Sequence, residues 1–151
     1  MVDSLTARET WCAPLLANLQ PGARRALARA MANDLRRSQS GRIAQQQNPD
    51  GSAYEPRKPR IRDKKGRIRR GMFAKLRTAK FLRAKSDQDS AAVEFTGRVA
   101  RLARVHQEGL RDRVEPRPDA PEVVYPKRGL VGFTDDDRQR LLDLVLAHLE
   151  S

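Results

Sequence analysis

The side chains able to do chemistry are few, and their spacing argues against most of it. His106 and His148 are the only histidines, and they fall on different predicted helices. His148 lies near a helix C-terminus, where positive charge is welcome, so capping is its expected role. His106 is followed by Gln107, and the pair could hydrogen-bond across an interface. As a general base, His106 lacks a nucleophile or an orienting acid nearby in sequence. Asp135, Asp136 and Asp137 resemble metal ligands on paper. On a helix, neighbouring residues point about 100° apart, so three in a row cannot converge on one ion. Cys12 is the single cysteine. It can build neither an intramolecular disulfide nor a zinc cluster, and among apolar helix positions it reads as a small core residue. The glycines are scattered, and none precedes a Lys-Ser or Lys-Thr pair as a phosphate loop requires. These residues predict no enzyme, no cofactor and no metal.

What remains is charge. The stretch 57–85 holds fourteen of the 31 lysines and arginines, with Asp63 as its only acid. The other regions then carry 17 basic and 18 acidic residues, so the whole net charge of +12 is local. Confined like charge repels itself until something negative neutralises it, which points to an acidic partner. The candidate partner-binding residues are Arg57, Lys58, Arg60, Arg62, Lys64, Lys65, Arg67, Arg69 and Arg70, together with His106 and Gln107. The bland alternative is a solvated loop that aids solubility. A nucleic acid is a second alternative. Residues 57–70 offer no aromatic side chain to stack on bases, so such contact would touch phosphates only and weaken with salt. An acidic protein surface accounts for the same charge, because guanidinium groups pair well with carboxylates.

The elements that must position these residues follow from periodicity. A length of 151 residues predicts one domain, and 38% hydrophobic against 33% charged residues predicts a small aliphatic core with polar extensions. Apolar positions Leu5, Cys12, Leu15, Leu16 and Leu19 predict a helix over 3–19, with Asp3 or Ser4 as N-cap and a kink at Pro14. A second helix is expected over 22–47, with Ala23, Leu27, Ala30, Met31 and Leu35 on its apolar face. Few apolar residues follow Leu35, so its distal half is expected to lean on a partner. Asn48-Pro49-Asp50-Gly51 is a turn. The region 52–70 lacks periodicity and predicts an extended arm that orders only on binding.

Further along, Met72, Phe73 and Leu76 are expected to dock a short helical turn. Strands at 80–84 and 92–96 are expected to flank a polar loop, and a third strand is expected at 122–125. A helix is predicted over 98–110, closed by Gly109, and 111–121 reads as a charged loop. The last helix has Thr134 as N-cap and Asp137 as the acid of a capping box. Its stripe of Leu141, Leu142, Val145, Leu146 and Leu149 is expected to pack on the sheet. The fold class is therefore α+β, with N-terminal helices, a small antiparallel sheet, a C-terminal amphipathic helix and a long extended basic arm. The expected organisation is an N-terminal helical region (1–47), the arm (48–71) and an α+β core (72–151). There is no basic and apolar leader in MVDSLTARETW and no run of about 18 apolar residues, so a soluble protein that stays in its cell is expected.

Several blocks stand out for their order along the chain. They are Arg36-Arg37 with Arg42-Ile43-Ala44; Asn48-Pro49-Asp50-Gly51 with Tyr54 and Pro56-Arg57-Lys58; Met72-Phe73 with Lys75-Leu76-Arg77; and Phe95 with Gly97-Arg98. Val105-His106-Gln107 with Gly109, Tyr125-Pro126 with Arg128 and Leu130, and Gly132-Phe133-Thr134 complete them. Together they resemble the phage virion morphogenesis (tail completion) family, and the resemblance runs from about Leu5 to Leu149. It implies a structural protein at the head-proximal end of a contractile tail or tail-like particle. There it would cap tube and sheath and form the docking surface for neck, collar or head. It further implies a homo-oligomeric, sixfold ring and assembly in the host bacterial cytoplasm, with no membrane partner and no catalytic residues to carry over. Non-specific contact of the arm with DNA in the tail lumen is one variant. A stand-alone nucleic-acid-binding accessory protein is the alternative from another class, and a hydrolase is the remote third.

Overall fold

The computed structural model describes residues 17–57 and 71–150. Most of the helix expected over 3–19, with Cys12 and Pro14, lies outside the described residues, as do Lys58 to Arg70. Within them the fold is α+β: a long helix, two two-stranded antiparallel sheets and two further helices.

Helix α1 spans Pro21–Ala44. Pro21 occupies its first turn, where the missing N–H costs nothing. Its buried residues are Ala28, Ala32, Leu35, Gln39, Arg42 and Ile43, spaced by three and four along one face. The innermost face is thus turned from the predicted one: Ala28 and Ala32 are buried, whereas Ala30 is exposed. The distal half does not wait for a partner. Its inward positions are filled by Gln39 and Arg42, which apolar patterning passes over.

Strands β1 (Leu82–Ser86) and β2 (Ala91–Phe95) form the expected hairpin, with Leu82 opposite Phe95 and Ser86 opposite Ala91. Asp87 closes it by accepting the N–H groups of Asp89 and Ser90 at 2.7 and 2.8 Å. The hairpin lies across α1. Leu82 meets Ile43, Tyr54, Ala103 and Leu130 in the core, with Met72, Phe73, Val93, Phe95 and Val131 around them. Helix α2 (Gly97–Glu108) ends as expected at Gly109, whose φ of 68° suits glycine and lets its N–H cap Val105 O.

A second sheet replaces the expected loop. Strands β3 (Arg111–Arg113) and β4 (Glu122–Val124) pair in antiparallel register, Arg111 opposite Val124. The β3 sequence, Arg-Asp-Arg, has no apolar alternation. It is held at its centre by Asp112, which accepts a 2.6 Å bond from Arg101 on α2.

Helix α3 (Asp135–Glu150) starts with the predicted capping box. Thr134 Oγ1 accepts the N–H of Asp137 at 2.9 Å, and Asp137 Oδ2 accepts the N–H of Thr134 at 3.0 Å. The helix packs along α1 and not on a sheet. The reason is Asp137, which is fully buried. It also accepts bonds from Ser38 and Gln39 of α1 and from Arg140, while Arg140 reaches Asp34 at 3.1 Å. This polar contact turns α3 so that Leu142 and Leu146 face outward.

Asp137→Ala removes the cap acceptor and leaves buried donors without partners, so it should cost about 3 kcal/mol in urea unfolding. Thr134→Ala should cost about 1 kcal/mol and Asp135→Ala, at an exposed position, under about 0.5 kcal/mol. Equal effects at 135 and 137 would remove Asp137 from its interior role.

Candidate interaction site at the base of the basic segment

Between β4 and α3 the chain crosses the interior with neither helix nor strand over 125–134. Arg128 and Leu130 are buried there. Buried backbone must find partners for its N–H and C=O groups; Arg128 N finds the backbone at His106 O, 2.8 Å away, and over 129–132 side chains supply them. Gly129 N donates to Asn48 Oδ1 at 2.7 Å, and Gly129 O accepts from Arg42 Nη1 at 2.7 Å and the Tyr54 hydroxyl at 2.9 Å. Leu130 O accepts from Arg42 Nη2 at 2.9 Å. Gln107 Oε1 accepts from Leu130 N and Val131 N, at 2.7 and 3.0 Å, while its Nε2 donates to Val131 O at 3.0 Å. Gln39 likewise holds both backbone groups of Gly132, at 3.1 and 2.7 Å. A side-chain amide carries one donor and one acceptor side by side, as a peptide group does, so each glutamine stands in for a neighbouring strand. The two glycines admit Pro49 against this backbone: a Cβ on Gly129 or Gly132 would lie 2.5 or 2.6 Å from its ring.

The two ends of the basic segment are gripped in the same place. Arg128 donates through Nε to Glu55 O at 2.9 Å and through Nη2 to Pro56 O at 3.3 Å. On the far side Gln46 Nε2 donates to Met72 O at 2.9 Å and Gln46 Oε1 accepts from Met72 N at 2.8 Å. Tyr54 and Phe73 then meet edge-to-face, ring centres 5.9 Å apart. Gln46 and Phe73 both have positive φ, 57° and 65°, a conformation that disfavours side chains and persists here under these contacts.

Among the predicted partner-binding residues, Arg57 is exposed at the root of the segment. Its charge, after burial and against the pull of Glu55, contributes to lowering the pKa of Arg128. Lys58, Arg60, Arg62, Lys64, Lys65, Arg67, Arg69 and Arg70 lie outside the described residues. Gln107 commits its amide to Val131 and Leu130, as above. His106 is half-buried, its ring stacked edge-on between Phe73 and Tyr125 at 4.9 and 4.8 Å, and its Nδ1 has no hydrogen-bond partner. Thus the structure brings His106, Gln107 and the foot of the basic segment into one cluster. Arg42, Gln39, Gln46 and Asn48 are the members that sequence patterning passes over.

The electrostatics follow the burial. Desolvation lowers the pKa of Arg42, with Tyr54 and Asp137 opposing it, yet a guanidinium stays charged in protein. Burial pushes the Tyr54 hydroxyl upward, with Arg42 pulling the other way. For Asp137 burial acts upward, but the hydrogen bonds from Ser38, Thr134 and Arg140 outweigh it and hold the carboxyl below its usual range. Burial and Arg128 lower His106, with Asp112 opposing. Among the described residues no group of His, Cys, Asp or Glu is placed to hold a metal ion, and no helix is long and apolar enough to cross a membrane.

Arg42→Met should cost about 3 kcal/mol in urea unfolding, because Leu130 O loses its only donor and Gly129 O one of two. Arg42→Lys should restore little, since a point charge cannot reproduce the fork. His106 gives a pH signature. Its folded pKa lies below the unfolded value of 6.5, so its contribution is complete above 6.5 and is lost as pH falls towards the folded pKa. The urea midpoint should therefore drop between pH 7 and 5, above the range where carboxylates titrate. His106→Phe should flatten that drop; an unchanged slope would exclude His106 as its source.

Comparison with known proteins gives this architecture its relatives. The model of the phage virion morphogenesis family matches residues 3–150. Tail completion protein S of Escherichia phage P2 is 43% identical over 138 residues, which cover 90% of this chain and 91% of that protein. No solved structure matches. The blocks that carry the resemblance are also those that meet in space: Arg42, Asn48, Tyr54 and Gln107 converge on the backbone at 129–131. The chain belongs to the phage virion morphogenesis family.

Proposed function

We propose that the protein is a structural component that completes a phage tail during virion assembly. The observation that carries this reading is identity of 43% to a tail completion protein across nine-tenths of both chains. In this reading it sits at the head-proximal end of a contractile tail or tail-like particle. It caps tube and sheath there as a sixfold ring and presents the docking surface for neck, collar or head. The basic segment is the contact element, with Arg57, Lys58, Arg60, Arg62, Lys64, Lys65, Arg67, Arg69 and Arg70 meeting carboxylates on a neighbouring subunit or the tail end. Two features support it. The excess charge of the chain is concentrated in that segment, and Arg128 and Gln46 hold the backbone on either side of it, at residues 55, 56 and 72. A segment whose flanking residues are both held loses less chain entropy on docking than a free tail of equal length.

The alternative is a nucleic-acid-binding accessory role, which the net charge of +12 also favours. One series separates the two. Replacing Arg60, Arg62, Lys64, Lys65, Arg67, Arg69 and Arg70 with Gln should leave the unfolding midpoint within about 0.5 kcal/mol of the parent. In a complementation assay it should abolish finished tails, and the purified parent should show no DNA binding at 150 mM salt. Normal tails from the neutralised variant would overturn the contact role. DNA affinity of the parent that falls steeply with salt would favour the alternative.

A further inference from the structure

The side of α3 turned away from α1 is apolar and open. Leu142 and Leu146, one turn apart, are 50% and 47% exposed, and Leu141, Val145 and Leu149 beside them are half-buried. An aliphatic stripe along a helix calls for a cover. The described chain begins where a cover would have to start. Asn18 Nδ2 donates to Leu149 O at 3.4 Å, and Asn18 O lies 2.7 Å from His148 Nε2. Ala17 is helical, and only Asn18, Leu19 and Gln20 separate it from Pro21. So short a turn reverses the direction of the chain. Helices α1 and α3 are already antiparallel, since Asp34 and Ser38 meet Arg140 and Asp137. A segment that reverses at Asn18, which already touches His148 and Leu149 at the C-terminal end of α3, therefore runs parallel to α3.

We propose that the chain's own N-terminal segment, residues 3–16, seats on the Leu142–Leu146 face of α3 through Leu5, Cys12, Leu15 and Leu16. Cys12 lies six residues before Asn18, and Leu142 seven before Leu149. At equal helical rise this brings Leu15 level with Leu146 and Cys12 within one residue's rise, about 1.5 Å, of Leu142. The three-residue link keeps the segment at high effective concentration against this face, which favours it over a second copy of the chain.

The chain holds one tryptophan, Trp11, and one cysteine, Cys12, both in this segment, and each reports on the proposal in the full-length protein. Trp11 should emit to the blue of free indole. It should shift to the red in Leu142→Asp/Leu146→Asp, at any protein concentration. In Leu142→Cys a short bifunctional thiol reagent should join Cys12 to position 142 within one chain, giving a product of monomer mass. Arg83→Cys, on β1, should give none. Emission of a water-exposed indole in the parent, or no response to the double substitution, would overturn the proposal. So would a cross-link joining two chains, which would assign the face to a second copy. If the double variant fails to fold, the cross-link decides alone.

Discussion

A buried stretch of backbone without a sheet governs this molecule. Residues 128–132 run through the interior, and their peptide groups would each be costly if left unpaired. The chain solves this with side chains that imitate peptide groups. Gln39 pairs with Gly132, and Gln107 with Leu130 and Val131. The Arg42 guanidinium, whose rigid fork places several donors in one plane, holds the carbonyl oxygens of Gln47, Gly129 and Leu130. Each of these side chains is itself fixed by a helix. The two helices, the Asn48–Ser52 turn and Tyr54 are thereby locked to a single line of backbone.

The same arrangement sorts the charge. Inside, Arg42 and Asp137 share the Gln39 amide between them: its oxygen faces Arg42 and its nitrogen faces Asp137. Arg128 is satisfied by main-chain oxygens at residues 55 and 56. These buried ions are neutralised or solvated by the chain itself, so they do not contribute to recognition from outside. The surplus positive charge lies in the segment whose two ends are pinned beside that cluster. A small core is thus compatible with a strongly basic chain.

Much of this was legible in the sequence, where the physics is local. The capping box at Thr134 and Asp137, the glycine stop at 109 and the hairpin around Asp87–Ser90 all depend on neighbours a few residues away, whereas the docking of Met72 and Phe73 was legible only as apolar residues, their partners Gln46, Tyr54 and His106 lying far off in sequence. What patterning could not show was the polar interior. A stripe read by hydrophobicity ends at Leu35, because Gln39 and Arg42 look like solvent residues until their partners at 129–132 are known. The same blindness turned α3 onto the wrong neighbour: Asp137 reads as a cap, and only its bonds to Ser38 and Gln39 make it an inward residue. Strand β3 was hidden for a related reason, since Arg111-Asp112-Arg113 carries no alternation and acquires its conformation from β4 and Arg101.

Side chains protect the backbone at 129–132 as a sheet would, and native-state hydrogen exchange of the Leu130, Val131 and Gly132 amides is the decisive measurement. Although no strand or helix covers these positions, the three should exchange only through global unfolding, as slowly as the core of α1. Exchange on the timescale of an exposed loop, faster than the β3–β4 ribbon, would contradict it.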